Sequence, residues 1–194
     1  FPIDKICCIG YPVMHGYFEH MNATGYRRSC GFIQFVERIE NYGENRELSI
    51  DVSDENLEYD KFLWSLSSVI RKSAEKGYRI FYTGGCTGFD ILAGEMVLGM
   101  KEEFPEIQLI AVLPFEEQAN TWGEFWREKY FTLLEHCDDV ITLQTRYTPG
   151  CYQRRNRYMV DRSSLLICYY DGKTGGTQST VAYAEKLGLE VKMV

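Results

Sequence analysis

From Arg79 onward, short and nearly continuous apolar runs alternate with longer stretches whose apolar residues recur every three or four positions. The runs predict strands over Ile80–Thr83, Ile107–Leu113, Val140–Leu143, Leu165–Tyr170 and Glu190–Val194. The periodic stretches predict helices over Gly88–Phe104, Gly123–His136, Tyr152–Arg162 and Thr177–Leu187. Upstream, Lys5–Gly10 reads as a first strand. Tyr59–Lys76 reads as an amphipathic helix, with a cap at Ser53–Asn56 and a stop at Gly77. Phe62, Leu66, Val69, Ile70 and Ala74 mark its buried face. Phe32–Asn41 is predicted to be a helix and Leu48–Val52 a small strand, while residues 11–31 read as loop. Strands that are apolar throughout are buried on both faces, as in a parallel sheet covered by helices. The fold class is therefore α/β: a Rossmann-like parallel sheet with helices on both faces and an irregular N-terminal elaboration. One domain accounts for residues 1–194, with 11–58 as an insertion or lid.

Composition narrows the function. The chain is 45% hydrophobic, enough for a sizeable core, yet no apolar run approaches the roughly 18 residues of a membrane span. The start, Phe1-Pro2-Ile3-Asp4-Lys5, lacks the basic and long apolar segments of a signal peptide. Seven cysteines without a C-x-x-C pair read as reduced thiols of a cytoplasmic protein. His15, His20 and Cys30 fit no common metal spacing, so no metal is expected. The net charge of -7 disfavours nucleic acid as a partner, because duplex binding relies on Lys and Arg neutralising phosphates. The run Arg154-Arg155-Asn156-Arg157 stands out against that acidic background.

Two glycine-rich turns carry the candidate chemistry. Gly84-Gly85-Cys86-Thr87-Gly88 joins a strand to a helix, and so does Gly175-Gly176-Thr177. Glycines there let an anion approach backbone N–H groups at a helix N-terminus. Ligands of open parallel sheets sit beyond the carboxyl ends of the strands, where both turns, Pro114-Phe115 and the loop Thr145–Gly150 fall. Asp90 has two readings, a helix cap and an acceptor for a ribose hydroxyl. Neither turn follows the G-x-G-x-x-G dinucleotide pattern, and Gly172-Lys173-Thr174 lacks the earlier glycine of a P-loop. The arginines of the basic run cannot all face one way at about 100° per residue. Arg155 and Asn156 lie one turn before Met159, on the face expected to meet the sheet, where a guanidinium would clamp a phosphate. Cys86 sits near a helix N-terminus, a setting that lowers thiol pKa, but no histidine is spaced to act as its base. Trp64, Trp122 and Trp126 read as packing residues, with Trp122 and Phe115 as candidates to stack on a base.

Together these stretches, with Arg155 through Ser163, resemble the YpsA-like branch of the SLOG superfamily. That superfamily also holds the Lonely Guy cytokinin-activating hydrolases and the DNA-processing protein DprA. The resemblance covers about residues 60–194. It implies a nucleotide or ADP-ribose-like ligand in signalling or stress response, no required cofactor, and possible homo-oligomers. By motif, Gly84, Gly85, Thr87, Gly88 and Asp90 form one pocket wall and Arg155 and Asn156 another. Gly175, Gly176 and Thr177 then close the phosphate end. Two departures stand out. Gly10-Tyr11-Pro12 replaces the Gly-His-Arg-Pro turn of relatives, and Thr180 holds the position of the hydrolases' catalytic glutamate. Ligand binding is thus the first expectation. The alternative is a nucleoside 5′-monophosphate phosphoribohydrolase with Asp90 or Glu95 supplying the carboxylate, and third is a single-stranded nucleic-acid binder by analogy with DprA.

Overall fold

The computed structural model describes residues 5–10, 54–170 and 174–194. The predicted helix at Phe32–Asn41 and strand at Leu48–Val52, with the rest of the 11–58 insertion up to residue 53, lie outside them. So do His15, His20, Cys30 and Gly172-Lys173. The described elements run β1 (Lys5–Gly10), α1 (Asp54–Glu75), β2 (Ile80–Thr83), α2 (Phe89–Gly99), β3 (Gln108–Leu113), α3 (Glu124–His136), β4 (Asp139–Thr142), α4 (Cys151–Val160), β5 (Leu165–Tyr169), α5 (Gly176–Lys186) and β6 (Glu190–Met193). The strands form one sheet in the order β4-β3-β2-β1-β5-β6. Every pairing is parallel, with Cys8 beside both Thr83 and Ile167.

Period-two alternation divides the core. Phe81, Leu109, Ala111, Leu113, Leu165 and Ile167 face one way and pack against α1, α2 and α3. Tyr82, Val112, Leu166 and Cys168 face the other way and pack against α4 and α5. The sheet is therefore covered on both faces, as its apolar strands require. Helix α1 buries Leu66, Ile70 and Ala74 as predicted, adds Leu63, and packs Phe62 and Val69 partly buried. It ends in a Schellman pair, Tyr78 N–H to Ser73 O and Gly77 N–H to Ala74 O, with Gly77 at φ 98°.

Two expectations need correction. The helix predicted to continue to Phe104 ends at Gly99 and tightens into a 3₁₀ turn over Met100–Glu102. Trp64 is not a packing residue: one position past Leu63, it points about 100° off the buried stripe and is 60% exposed.

Strand order places the site. The chain steps outward from β1 through β2 and β3 to β4, then returns past β1 to β5. Such a reversal opens a crevice at the carboxyl edge, here beside β1. The turns after β2 and β5 flank β1 on either side, about 10 Å apart at two strand spacings.

Candidate anion site at the carboxyl edge of the sheet

The helices that leave the carboxyl edge after β2, β3, β4 and β5 all start at a glycine. The caps of α2, α3, α4 and α5 are Gly88, Gly123, Gly150 and Gly175, and none carries a side-chain cap hydrogen bond. Ser, Thr, Asp or Asn at a cap would satisfy a first-turn N–H internally. Glycine leaves those donors, and the positive end of the helix dipole, facing the edge. Two of these N-termini, α2 and α5, border β1.

Within the first turn, the donors divide. Gly85 N–H donates to Thr83 Oγ1 at 3.2 Å, and Cys86 N–H donates to Asp90 Oδ2 at 3.3 Å. Both therefore point into the protein. The half-buried part of the turn is at Cys86 and Thr87, while Gly84, Gly85, Gly88 and Phe89 are buried. Gly85 adopts φ 62° and Gly88 φ 85°, left-handed values that a side chain would strain. Gly88, not Asp90, is the cap of α2. The Asp90 carboxylate, 1% exposed, accepts from the Cys86 amide and lies 3.8 Å from the Arg155 guanidinium.

Arg155 and Asn156 are buried on α4, as their position before Met159 predicts. Arg155 crosses the sheet edge from the α4 face. Its Nη1 donates to Gly84 O, its Nη2 to Cys86 Sγ, and its Nε to Asn156 Oδ1 at 2.7 Å. The guanidinium is thus engaged with the turn. Asn156 Nδ2 donates to Thr180 Oγ1 at 3.0 Å, and that hydroxyl donates to Gly176 O at 2.7 Å. Neighbouring residues of one helix therefore brace both glycine turns. Gly175 and Gly176 are exposed and Thr177 is buried in the first turn of α5.

The remaining arginines disperse as the helical period requires. Arg154 donates to Gln144 Oε1 and Pro149 O, fastening the loop before α4. Arg157 stacks 5.3 Å over the Tyr183 ring, and Arg162 lies 3.7 Å over the Tyr158 ring.

Other candidates fall away from the edge or change character. Glu95 points between helices, where Lys129 Nζ donates to its Oε1 at 2.8 Å. The Cys86 thiol is not lowered: burial pushes it up, and this outweighs the Arg155 charge beside it. Trp122 packs edge-on against Tyr130 at 5.3 Å. Buried Phe115, next to buried Pro114, is met edge-on by Tyr147 and Tyr152 at 5.7 and 5.9 Å. Sequence reasoning missed Gln118, whose Nε2 donates at 3.3 Å to both Gly84 O and Gly85 O.

The chain has known relatives. The YspA SLOG family (YpsA) matches residues 43–192. The chain belongs to that family. An uncharacterized SPbeta prophage-derived protein, YoqJ, of Bacillus subtilis is 32% identical over 66% of this chain and 80% of its own length. The UPF0398 protein BH1768 of Halalkalibacterium halodurans is 36% identical over 54% of this chain, a match spanning only 57% of that relative. Among solved structures, DNA processing protein A of Helicobacter pylori aligns at TM-score 0.56 and 15% identity, over 99% of this chain and 65% of its own. DNA processing protein A (DprA) of Streptococcus pneumoniae aligns at 0.53 and 15%, over 98% of this chain and 50% of its own. These likenesses establish the fold of this SLOG chain, and they correct one expectation. Net charge -7 does not disfavour nucleic acid, since the Helicobacter pylori protein of the same fold was solved for its single-stranded DNA binding mode. Net charge sums over a whole surface, whereas binding is decided on one face. Here three exposed arginines, Arg154, Arg157 and Arg162, lie along and just past α4. No helix among the described residues is long and apolar enough to cross a membrane.

Proposed function

We propose that this SLOG chain binds a nucleotide or nucleotide-derived ligand of the ADP-ribose type and acts in signalling or stress response. The observation that carries the reading is the set of glycine-capped helix N-termini without a side-chain cap hydrogen bond at the carboxyl edge, two of them bordering β1; of those two, α5 has no acidic residue in its first turn, while α2 has Asp90. Thr87, Gly88, Gly176 and Thr177 would face the phosphates, while Arg155, Asp90 and Asn156 hold the turns in position. The reading favours binding over cleavage of an N-glycosidic bond. The hydrolases' glutamate position is Thr180, whose hydroxyl is committed to Asn156 and Gly176, and Glu95 is committed to Lys129. Free thiols at Cys86, Cys137, Cys151 and Cys168 suit a cytoplasmic setting.

Gly176→Asp tests the reading. A side chain there meets nothing within 4 Å, so it enters open space. A carboxylate in the first turn of α5 favours the helix dipole and repels a phosphate. The expected result is an unchanged or higher melting temperature and an affinity for ADP-ribose, measured by calorimetry, at least about tenfold weaker. Equal affinity in the variant would remove α5 from the site.

A second reading, single-stranded DNA along α4, is favoured by its exposed arginines. Fluorescence anisotropy with a labelled oligonucleotide separates the two. Arg154→Gln with Arg157→Gln should abolish DNA binding and leave ADP-ribose binding intact.

A further inference from the structure

A continuous hydrogen-bonded path joins the two glycine turns on either side of β1. It starts at Gly84 O, which accepts from Arg155 Nη1. Arg155 Nε donates to Asn156 Oδ1 at 2.7 Å, and Asn156 Nδ2 donates to Thr180 Oγ1 at 3.0 Å. Thr180 Oγ1 in turn donates to Gly176 O at 2.7 Å. The two ends belong to the turns after β2 and β5, the strands that pair with β1.

The path admits one arrangement of protons. A guanidinium only donates, so the Asn156 atom facing Arg155 Nε is the amide oxygen. The amide nitrogen is left for Thr180, whose oxygen must therefore accept. The threonine proton then goes to Gly176 O, a carbonyl that only accepts. Each link fixes the next, because an amide side chain accepts at one atom and donates at the other. The path is also buried: Arg155 is 3% exposed, Asn156 8% and Thr180 6%.

The consequence is geometric. The turns stand about 10 Å apart, at two strand spacings, so a ligand that reaches both must find them at one separation. Turns free to shift would have to be ordered on binding, at a cost in affinity. A small anion resting on one turn carries no such requirement. We infer that Asn156 and Thr180 are positioning residues that fix the spacing of the two glycine turns for one ligand touching both. The inference rests on the proposed nucleotide reading and deepens it: the site selects a ligand with two separated polar groups over a lone phosphate.

The test uses Thr180→Val, which keeps the branched shape and removes the hydroxyl, with Thr180→Ser as the variant that restores it. Amide hydrogen exchange of the unliganded chain is followed at Gly85 and Cys86, whose N–H groups are bonded within the first turn, and along β3. In the valine variant, exchange should quicken at Gly85 and Cys86, on the far side of β1 from the substitution, and stay unchanged in β3. Calorimetry should show ADP-ribose bound about tenfold more weakly, the worth of roughly one hydrogen bond, with inorganic phosphate bound as before. The serine variant should match the wild type in every measurement. Quickening confined to the start of α5 overturns the inference, since the hydroxyl then serves only its own helix. Quickening of the same size in β3 overturns it too, as a plain loss of stability. Equal losses for both probes, or none for either, overturn the positioning role and leave the nucleotide reading in place. If the wild-type chain binds neither probe, the nucleotide reading fails and the positioning role fails with it.

Discussion

Replacing Arg155 with leucine is expected to cost about 3–5 kcal/mol of stability, the usual range for breaking one side of a buried ion pair. At about 2–4 °C per kcal/mol for a chain of this size, the melting temperature should drop by roughly 6–20 °C. The cost does not arise from the attraction between Arg155 and Asp90, which desolvation largely offsets. It arises from what remains. Asp90 is 1% exposed and would lose the guanidinium that lies 3.8 Å from it. Gly84 O would lose its bond to Arg155, and Asn156 Oδ1 would lose the Arg155 Nε donor. A second change separates these parts. Asp90→Asn removes the buried carboxylate that faces Arg155, so the pair Arg155→Leu with Asp90→Asn should be more stable than Arg155→Leu alone. Denaturant melts of the four proteins give the coupling directly. If the double variant were no better than the single one, the carboxylate would not be the source of the loss.

The same pair shows what could and could not be read from the chain. The elements were legible because each has its own period. Leu66, Ile70 and Ala74 mark a helix, Leu109, Ala111 and Leu113 mark a strand, and both ended up where the spacing put them. The burial of Arg155 and Asn156 was legible too, from their distance to Met159. What Arg155 touches was not. Its contact with Gly84 joins positions 71 residues apart, and it exists only because the sheet reverses direction at β1. No local pattern reports that reversal. The readiness of Cys86 was misjudged for a related reason: a helix N-terminus lowers a thiol, but the closing of α4 over the turn buries it, and burial is the larger effect. Tyr130 left a trace, since Trp126, Tyr130 and Leu133 recur at helical spacing and predict an inward face. Gln118 left none. It lies in Glu116-Glu117-Gln118-Ala119-Asn120, a stretch that reads as a solvated loop, and only the structure turns it beneath the glycines.

Gly84→Ala should be nearly as damaging, at about 3 kcal/mol, and for a reason unlike that of its neighbour. Gly85 sits at φ 62°, so alanine there is strained mainly by its backbone, a cost on the order of 1–2 kcal/mol. Gly84 has no such conformation. Its added methyl would lie 1.7 Å from Arg155 Nη1, 2.3 Å from Arg155 Cζ and 2.6 Å from Asp90 Oδ2. Contacts that short cannot persist. The guanidinium is the part able to move, and moving it breaks the arrangement whose loss was costed for Arg155→Leu. The two substitutions therefore act through one set of atoms, and their costs should not add. In an Arg155→Leu, Asp90→Asn background the atoms at 1.7 and 2.3 Å are gone. Gly84→Ala should then cost less than half of what it costs in the wild-type chain. Chemical denaturation of the two alanine variants in both backgrounds reads the difference. Full additivity would mean that the methyl disturbs the turn directly, and that the glycine at position 84 answers to something other than the arginine crossing over it.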